Sequence, residues 1–386
     1  MRIMPPHRRQ FLLSAAATGL VLCQSRLFGK DDDPMAGVAD SMITPEAQRA
    51  IERGLEYLLN SQHGDGSWGE RQYIGNVAVT SLCGLAFMAG GHQPGRGNYG
   101  KAVERALDFV LSKEAKDPDR TPGFLHNPSG SPFGPMYSHG FATLFLAEAY
   151  GMIPKKESQK RLRETLERAV KLIVDTQNNE GGWRYEPKKS QADISVTICQ
   201  IMALRAARNV GLHVSKDTVI NCTKYVVHCQ NHDGGFNYFR TQKNQSAFAR
   251  SAAGVVALYC AGVYNREDVE KNNDWKEFMK GDEMEKGLRY LRQFKPNGNT
   301  FGPWGRGGMD SMHYYYGQYY AAQAMWTAGE TWWKEWYPAI REELLALSRR
   351  NGKGEWMDQT TCTDYATAMA LIILQIPNNY LPIMQK

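Results

Sequence analysis

From residue 44 onward the chain alternates two kinds of apolar segment. In the first kind, Leu162, Leu166, Ala169, Val170 and Ile173 follow the spacing of one helical face, while Arg161, Glu164, Glu167, Arg168 and Lys171 hold the other. That pattern predicts a helix with one wet side. In the second kind, Ile194 to Val210, the residues Val196, Ile198, Ile201, Met202, Leu204, Ala206 and Ala207 leave little room for a polar stripe. That pattern predicts a helix buried on most sides. The pair recurs with Val219, Cys222, Val226 and Cys229, followed by Ala252 to Val263. Nothing in the body alternates apolar and polar residues long enough for a strand, so the chain reads as all-α.

Between the two kinds of helix stands a recurring phrase. It runs Gln62-His63-Gly64-Asp65-Gly66-Ser67-Trp68, Gln177-Asn178-Asn179-Glu180-Gly181-Gly182-Trp183 and Gln230-Asn231-His232-Asp233-Gly234-Gly235-Phe236. Weaker copies are Pro122-Gly123-Phe124, Asn297-Gly298-Asn299-Thr300-Phe301 with Trp304, and Asn351-Gly352-Lys353-Gly354-Glu355-Trp356. Six units therefore fill residues 44–386. The glycines allow a sharp reversal, and Gln and Trp can tie each turn to its neighbour. A half-exposed helix alternating six times with a buried one predicts two concentric rings, an (α/α)6 toroid closed on itself, with a central cavity at the mouth of the inner helices.

Residues 1–43 read as an address and a linker. Arg8-Arg9 precede an apolar run, Leu12 to Leu22, that is too short to span a bilayer as a helix. The pattern resembles a twin-arginine export signal, which implies an exported, periplasmic or cell-envelope protein. No later stretch reaches transmembrane length without charges. Seven Cys in 386 residues are too sparse for a disulfide scaffold, and those after Cys23 fall in apolar helical runs. A net charge of +6 with interleaved signs gives no nucleic-acid stripe.

The phrase Gln-x-x-x-Gly-x-Trp resembles the repeat of the terpene cyclase and protein prenyltransferase superfamily, whose members are (α/α)6 toroids. Tyr137-Ser138-His139-Gly140, Ala192-Asp193-Ile194-Ser195-Val196-Thr197 and Tyr380-Leu381-Pro382-Ile383 are similar to an exported bacterial branch called squalene-cyclase-like. The resemblance implies a cavity that receives an isoprenoid or similar apolar ligand. It also marks Asp193 as the residue standing where cyclases keep an Asp-x-Asp-Asp proton donor; Gln191 and Ile194 replace the neighbouring acids. Such a donor must be held neutral in a dry pocket. Prenyltransferases bind zinc with an Asp-x-Cys pair and a later His. Asp310-Ser311-Met312-His313 resembles only the end of that pattern, and Cys362-x-Asp364 reverses the Asp-x-Cys order. No metal and no cofactor are therefore expected.

In a toroid the first turn of each inner helix borders the cavity. That places Tyr137, His139, Ser246, Arg250, His313, Tyr315 and Asp364 as candidate lining residues and Asp193 as the candidate general acid. Against this stands helix capping for Asp193, Ser195, Asp310 and Asp364, core hydrogen bonding for His139 and His313, and pairing with a carboxylate for Arg250. Tyr314, Tyr315, Tyr316, Tyr319, Tyr320 and Trp326 crowd one inner segment, as packing or as a cation-stabilising lining. Glu148, Asp193, Asp310 and Asp364 are the acids that a glycosidase pair would draw on. The polar insert from Asn265 to Asp282 reads as a lid or a partner contact. The alternative to a ligand-binding toroid is a non-catalytic scaffold of the cell envelope.

Overall fold

A computed structural model describes residues 42–115, 121–153, 156–296 and 313–385. The arginine pair of the signal, and Phe301, Trp304, Arg306 and Asp310 of the fifth turn, lie outside the described residues. The chain runs as pairs of helices: α1 (Pro45–Ser61) with α2 (Val77–Ala89), α3 (Gly100–Ser112) with α4 (Pro135–Tyr150), and α5 (Lys156–Thr176) with α6 (Ile194–Asn209). Next come α7 (Lys216–His228) with α8 (Phe248–Ala261), two short helices α9 (Arg266–Lys271) and α10 (Asn273–Lys276), and α11 (Glu283–Arg292) with α12 (Tyr314–Ala328). The last pair is α13 (Glu330–Asn351) with α14 (Thr363–Gln375). No strand forms among the described residues.

The two patterns produce two rings. In α5 the buried side is Leu162, Leu166, Ala169, Val170 and Ile173, the face its spacing predicts. In α6 nearly every residue from Ile194 to Ala207 is buried, and α4 and α14 are similar. The second member of each pair packs on the next in the order α2, α4, α6, α8, α12, α14 and back to α2. That circuit is the inner ring. Outer helices seat against it and span adjacent units, and α1 packs on both α13 and α14 to close the circle.

The turn of the third repeat shows how one unit holds the next. The Gln177 amide donates to Gly181 O at 2.8 Å and to Thr218 O, on the following outer helix, at 2.9 Å. Trp183 is 1% exposed; its indole N–H donates back to Ile173 O at 2.7 Å, and its backbone N–H donates to Thr197 Oγ1 on α6 at 3.1 Å. Gly181 has φ +97, and a Cβ there would stand 2.0 Å from Asn221 O on α7. Only glycine lets the turn approach that backbone. Trp68 with Thr80, Phe236 with Ser251 and Trp356 with Thr367 repeat the tie to the inner helix, and Gln62 and Gln230 repeat the bridge. In the last unit Gly354 sits against Arg53 of α1, which completes the ring by the same device.

The second repeat corrects one expectation. The buried position of its turn is Leu125, 0% exposed, rather than Phe124, and Leu125 N–H donates to His139 Nδ1 at 3.1 Å. His139 thus holds the place that Thr80, Thr197, Ser251 and Thr367 hold elsewhere. The insert from 265 to 282 forms α9 and α10 with Trp275 buried. It connects α8 to the outer helix α11, with Phe278 beneath Lys224 of α7 and its end adjoining Glu283, whose carbonyl accepts from Gln230 of the fourth turn.

Candidate functional site

The axis of the ring is filled rather than open. On α12, Tyr316, Tyr319 and Tyr320 share one face by their spacing. Tyr319 and Tyr320 are 1% and 0% exposed, with ring centroids 4.8 Å apart. Tyr320 meets the Cys199 thiol of α6 at 3.5 Å, and Tyr319 meets Phe141 of α4 edge-on. The cavity predicted there is closed by these rings. What remains toward the N-terminal ends of the inner helices is a bowl of half-buried side chains, Tyr137, Ser195, Tyr316 and Tyr365. Burial pushes all three tyrosine hydroxyls far up, so they stay protonated and act as neutral hydrogen-bonding groups.

Asp193 lies beneath this bowl. It caps α6, its Oδ1 accepting Val196 N–H at 2.9 Å, and it is 0% exposed. The same Oδ1 accepts the Ser195 hydroxyl at 2.7 Å. Ser195 Oγ in turn meets the Tyr137 hydroxyl at 2.6 Å, and the Tyr316 hydroxyl donates to Ser195 O at 2.9 Å. The result is a hydrogen-bonded file from the half-buried Tyr137 to a buried carboxyl. Asp193 Oδ2 meets no donor in good hydrogen-bond geometry, and the Tyr238 hydroxyl lies beside the carboxyl. Desolvation raises the carboxyl above the ordinary Asp range; Ser195, Val196 N–H, the Arg184 charge and the Tyr238 hydroxyl nearby offset part of that push. A desolvated acid whose second oxygen meets no well-placed donor can hold a proton on that oxygen and release it to a ligand. Outside the file, Arg184 stacks over Tyr185 and Phe239, and Tyr185 hydrogen-bonds Tyr238.

The other expected lining residues are placed differently. His139 is fully buried, with Nδ1 on Leu125 N–H and Nε2 on Ala169 O at 3.1 Å, and burial lowers its pKa to about 4. It is a neutral strut between turn, inner helix and outer helix. Asp364 is 1% exposed and joins the sixth repeat to the first, accepting Ser61 Oγ at 2.8 Å and Gly69 N–H at 2.9 Å. Ser246 belongs to the fourth turn, accepting from Asn231 and donating to Asp233. Arg250 donates to Gln245 O, and His313 is exposed where α12 begins. Tyr315 is buried edge-on against Tyr314. The three consecutive tyrosines diverge: Tyr314 reaches Glu343 on the outer ring and Tyr316 crosses to α6.

The described acids and thiols of the other candidate chemistries stand apart from Asp193. Glu148, 3% exposed, sits at the opposite end of α4 and accepts Ile383 N–H from the C-terminal segment. It therefore does not face Asp193, and Asp364 is held in a structural clamp. Burial pushes the Cys362 thiol up to about 12, away from a metal-binding thiolate. Among the described residues no three of His, Cys, Asp or Glu converge as a metal cluster. Sequence reasoning missed Tyr365, Tyr185 and Arg184. A usable signal existed: Tyr137, Tyr316 and Tyr365 each occupy the third position of an inner helix.

Residues 100–291 match the family described as the prenyltransferase alpha-alpha toroid domain. No curated protein matches the chain. Among solved structures, the chain is similar to a type II terpene cyclase from Scytonema at 14% identity and a TM-score of 0.55, covering 88% of this chain and all of that one. It is also similar to a family 76 α-mannanase from Bacteroides thetaiotaomicron, at 10% identity over 90% of this chain and 98% of that one, TM-score 0.55. A cellobiose 2-epimerase from Bacillus thermoamylovorans aligns at 12% identity over 86% of this chain and 98% of that one, TM-score 0.56. At these identities the likeness is one of fold.

Proposed function

Starting from a toroid of the terpene cyclase and prenyltransferase-like superfamily, we propose that the tyrosine-lined bowl receives an isoprenoid or similarly apolar ligand, with Asp193 as its general acid. The observation that carries this is the file Tyr137, Ser195, Asp193, ending in a buried carboxyl whose second oxygen has only the Tyr238 hydroxyl beside it. Tyrosine faces offer apolar contact and attraction for developing positive charge, while their neutral hydroxyls leave the acid undisturbed. In this reading Asp193 gives up the proton on Oδ2, a proton passed along Tyr137 and Ser195 from the mouth restores the neutral acid at Oδ1, and rotation of the carboxyl returns the donor to the ligand side.

The carbohydrate-active neighbours suggest a different substrate class, whose hydrolysis needs two facing carboxylates. Among the described residues, Glu148 at the far end and Asp364 in its clamp do not supply the second one, and Asp310 lies outside them. Export through the Arg8-Arg9 signal is part of the same proposal and would give the protein access to envelope lipids. A second reading, a non-catalytic envelope scaffold, is favoured by one specific feature: Tyr319 and Tyr320 occupy the ring axis where a deep tunnel would run.

Organic extraction of protein purified from its native membranes, followed by mass spectrometry, tests the proposal. The expected result is a stoichiometric polyprenyl-type lipid that is retained by Asp193→Asn but no longer converted by it. Clean protein, inert toward polyprenyl substrates with or without Asp193, contradicts the ligand reading and leaves the scaffold.

A further inference from the structure

The connection between the fourth and fifth pairs breaks the rule of the ring. Residues 90–99, 151–155, 210–215 and 329 each carry the chain from an inner helix to the next outer one in ten positions or fewer, whereas 262–282 takes 21. The extra length is folded. A capping box between Asn265 and Asp268 starts α9, and Asn272 ends it and caps α10 by accepting Asp274 N–H at 3.0 Å. Val269, Trp275 and Met279 are buried beneath. A plain reversal of the chain needs none of this.

The folded insert makes a groove of about 590 Å³, a volume within the range of small-ligand sites. Lys216, the first residue of α7, and Gly262, the C-cap of α8, line one part of it, and α9, α10 and the corner between them supply the rest. No residue of the bowl takes part. Its charges cancel. Lys216 Nζ reaches Asp274 Oδ2 at 2.5 Å, Lys271 reaches Glu267 at 2.5 Å, and Asp268 Oδ2 accepts the N–H groups of Tyr264 and Asn265 at 2.9 Å. With each charge answered, the groove keeps no field of one sign for an ionic ligand, and lysines among the carboxylates deny it to a metal cation. An apolar ligand would strip water from the same groups without replacing it.

What is left over is a close set of hydrogen-bonding atoms. Among the described residues the Asn273 amide, Asn272 Nδ2 and Asp274 Oδ1 bond nothing in the protein, and the indole N–H of Trp275, 8% exposed, finds no acceptor. Donors and acceptors mixed over four consecutive residues match a molecule whose every hydroxyl both gives and takes a hydrogen bond.

We propose that this groove binds a neutral saccharide, held by Asn272, Asn273 and Asp274 against Lys216. The site is separate from the bowl, and it stands whatever the bowl receives.

Saturation-transfer NMR and titration calorimetry of the full chain with maltose, cellobiose, chitobiose and mannobiose test it. At least one of the four is expected to bind with a Kd below about 10 mM. Asn273→Trp, at an exposed position, fills the groove and breaks no hydrogen bond of the parent. Asn273→Ala with Asp274→Ala removes the unused amide and carboxylate, and the ion pair lost with them is exposed and worth little to the fold. Each of these variants is expected to weaken binding at least about tenfold, and Tyr137→Phe, in the bowl, is expected to bind as the parent. Circular dichroism and thermal melting confirm that each variant is folded. The proposal is overturned if none of the four sugars binds, if Asn273→Trp binds like the parent, or if Tyr137→Phe loses as much. It is overturned equally if inorganic phosphate displaces the bound sugar, because the site would then be one for anions.

Discussion

The turns of the second and third repeats bring the same backbone to the same place with different chemistry. In the third, Trp183 N–H meets Thr197 Oγ1; in the second, Leu125 N–H meets His139 Nδ1. The histidine looks functional in the sequence, yet its role is the one a threonine or serine fills in four other repeats. Asp193, by contrast, does more than its position requires. Capping α6 needs one oxygen accepting from Val196 N–H, and the remaining contacts, to Ser195 and through it to Tyr137, have no counterpart in the second repeat, where the helix cap is Gly134. A repeat protein thus supplies its own controls: a polar residue that matches its equivalents is framework, and one that departs from them is a candidate for function.

The largest effect tests what the two turns share. Gly181→Ala and Gly123→Ala would each drive a Cβ into the next outer helix at positive φ, and each is expected to cost at least about 3 kcal/mol in urea unfolding. A tolerant Gly123 would show that the second turn is not built like the third.

His139 sharpens the contrast. His139→Ala, which strands Leu125 N–H and leaves a void, is expected to cost about 3 kcal/mol, whereas His139→Thr restores the acceptor used by other repeats and is expected to cost less. The folded protein holds this imidazole neutral by lowering its pKa from 6.5 to about 4. Its stabilising contribution is complete above the unfolded pKa and is lost as pH falls through that window, by about 3 kcal/mol in all. His139→Thr should flatten that acid limb of the stability curve. The opposite end of α4 carries the opposite sign: burial raises Glu148 from 4.5 to about 8, so stability declines as pH rises across that range. Glu148→Gln, keeping an acceptor for Ile383 N–H, is expected to raise stability by roughly 2 kcal/mol at pH 8 and to abolish the decline.

The ring was legible in the sequence because its signals are local. The one-sided run from Leu162 to Ile173 and the run from Ile194 to Ala207, apolar nearly all round, each report burial through spacing alone, and the glycine turns mark the joints. The site was less legible because it depends on which side chains meet across the ring. Tyr316 and Ser195 are 121 residues apart and touch only after closure. Asp364 stands one residue before Tyr365 and His139 two after Tyr137, but both point into the framework, and one helical step decides which way a side chain faces. The shift from Phe124 to Leu125 hid the reason for His139, since the phrase was read one residue early.

The smallest effect on stability addresses the site itself. Ser195→Ala removes one hydroxyl from the file and is expected to change unfolding free energy by under about 1 kcal/mol. Its consequence should appear instead in the titration of Asp193, followed by carbon-13 NMR of the labelled carboxyl. The account predicts that Asp193 titrates above the ordinary aspartate range and moves higher still in Ser195→Ala, because a hydrogen bond favouring the charged form is gone. An Asp193 carboxyl that titrates in the ordinary range and is indifferent to Ser195 would contradict it, and would reduce Asp193 to a helix cap.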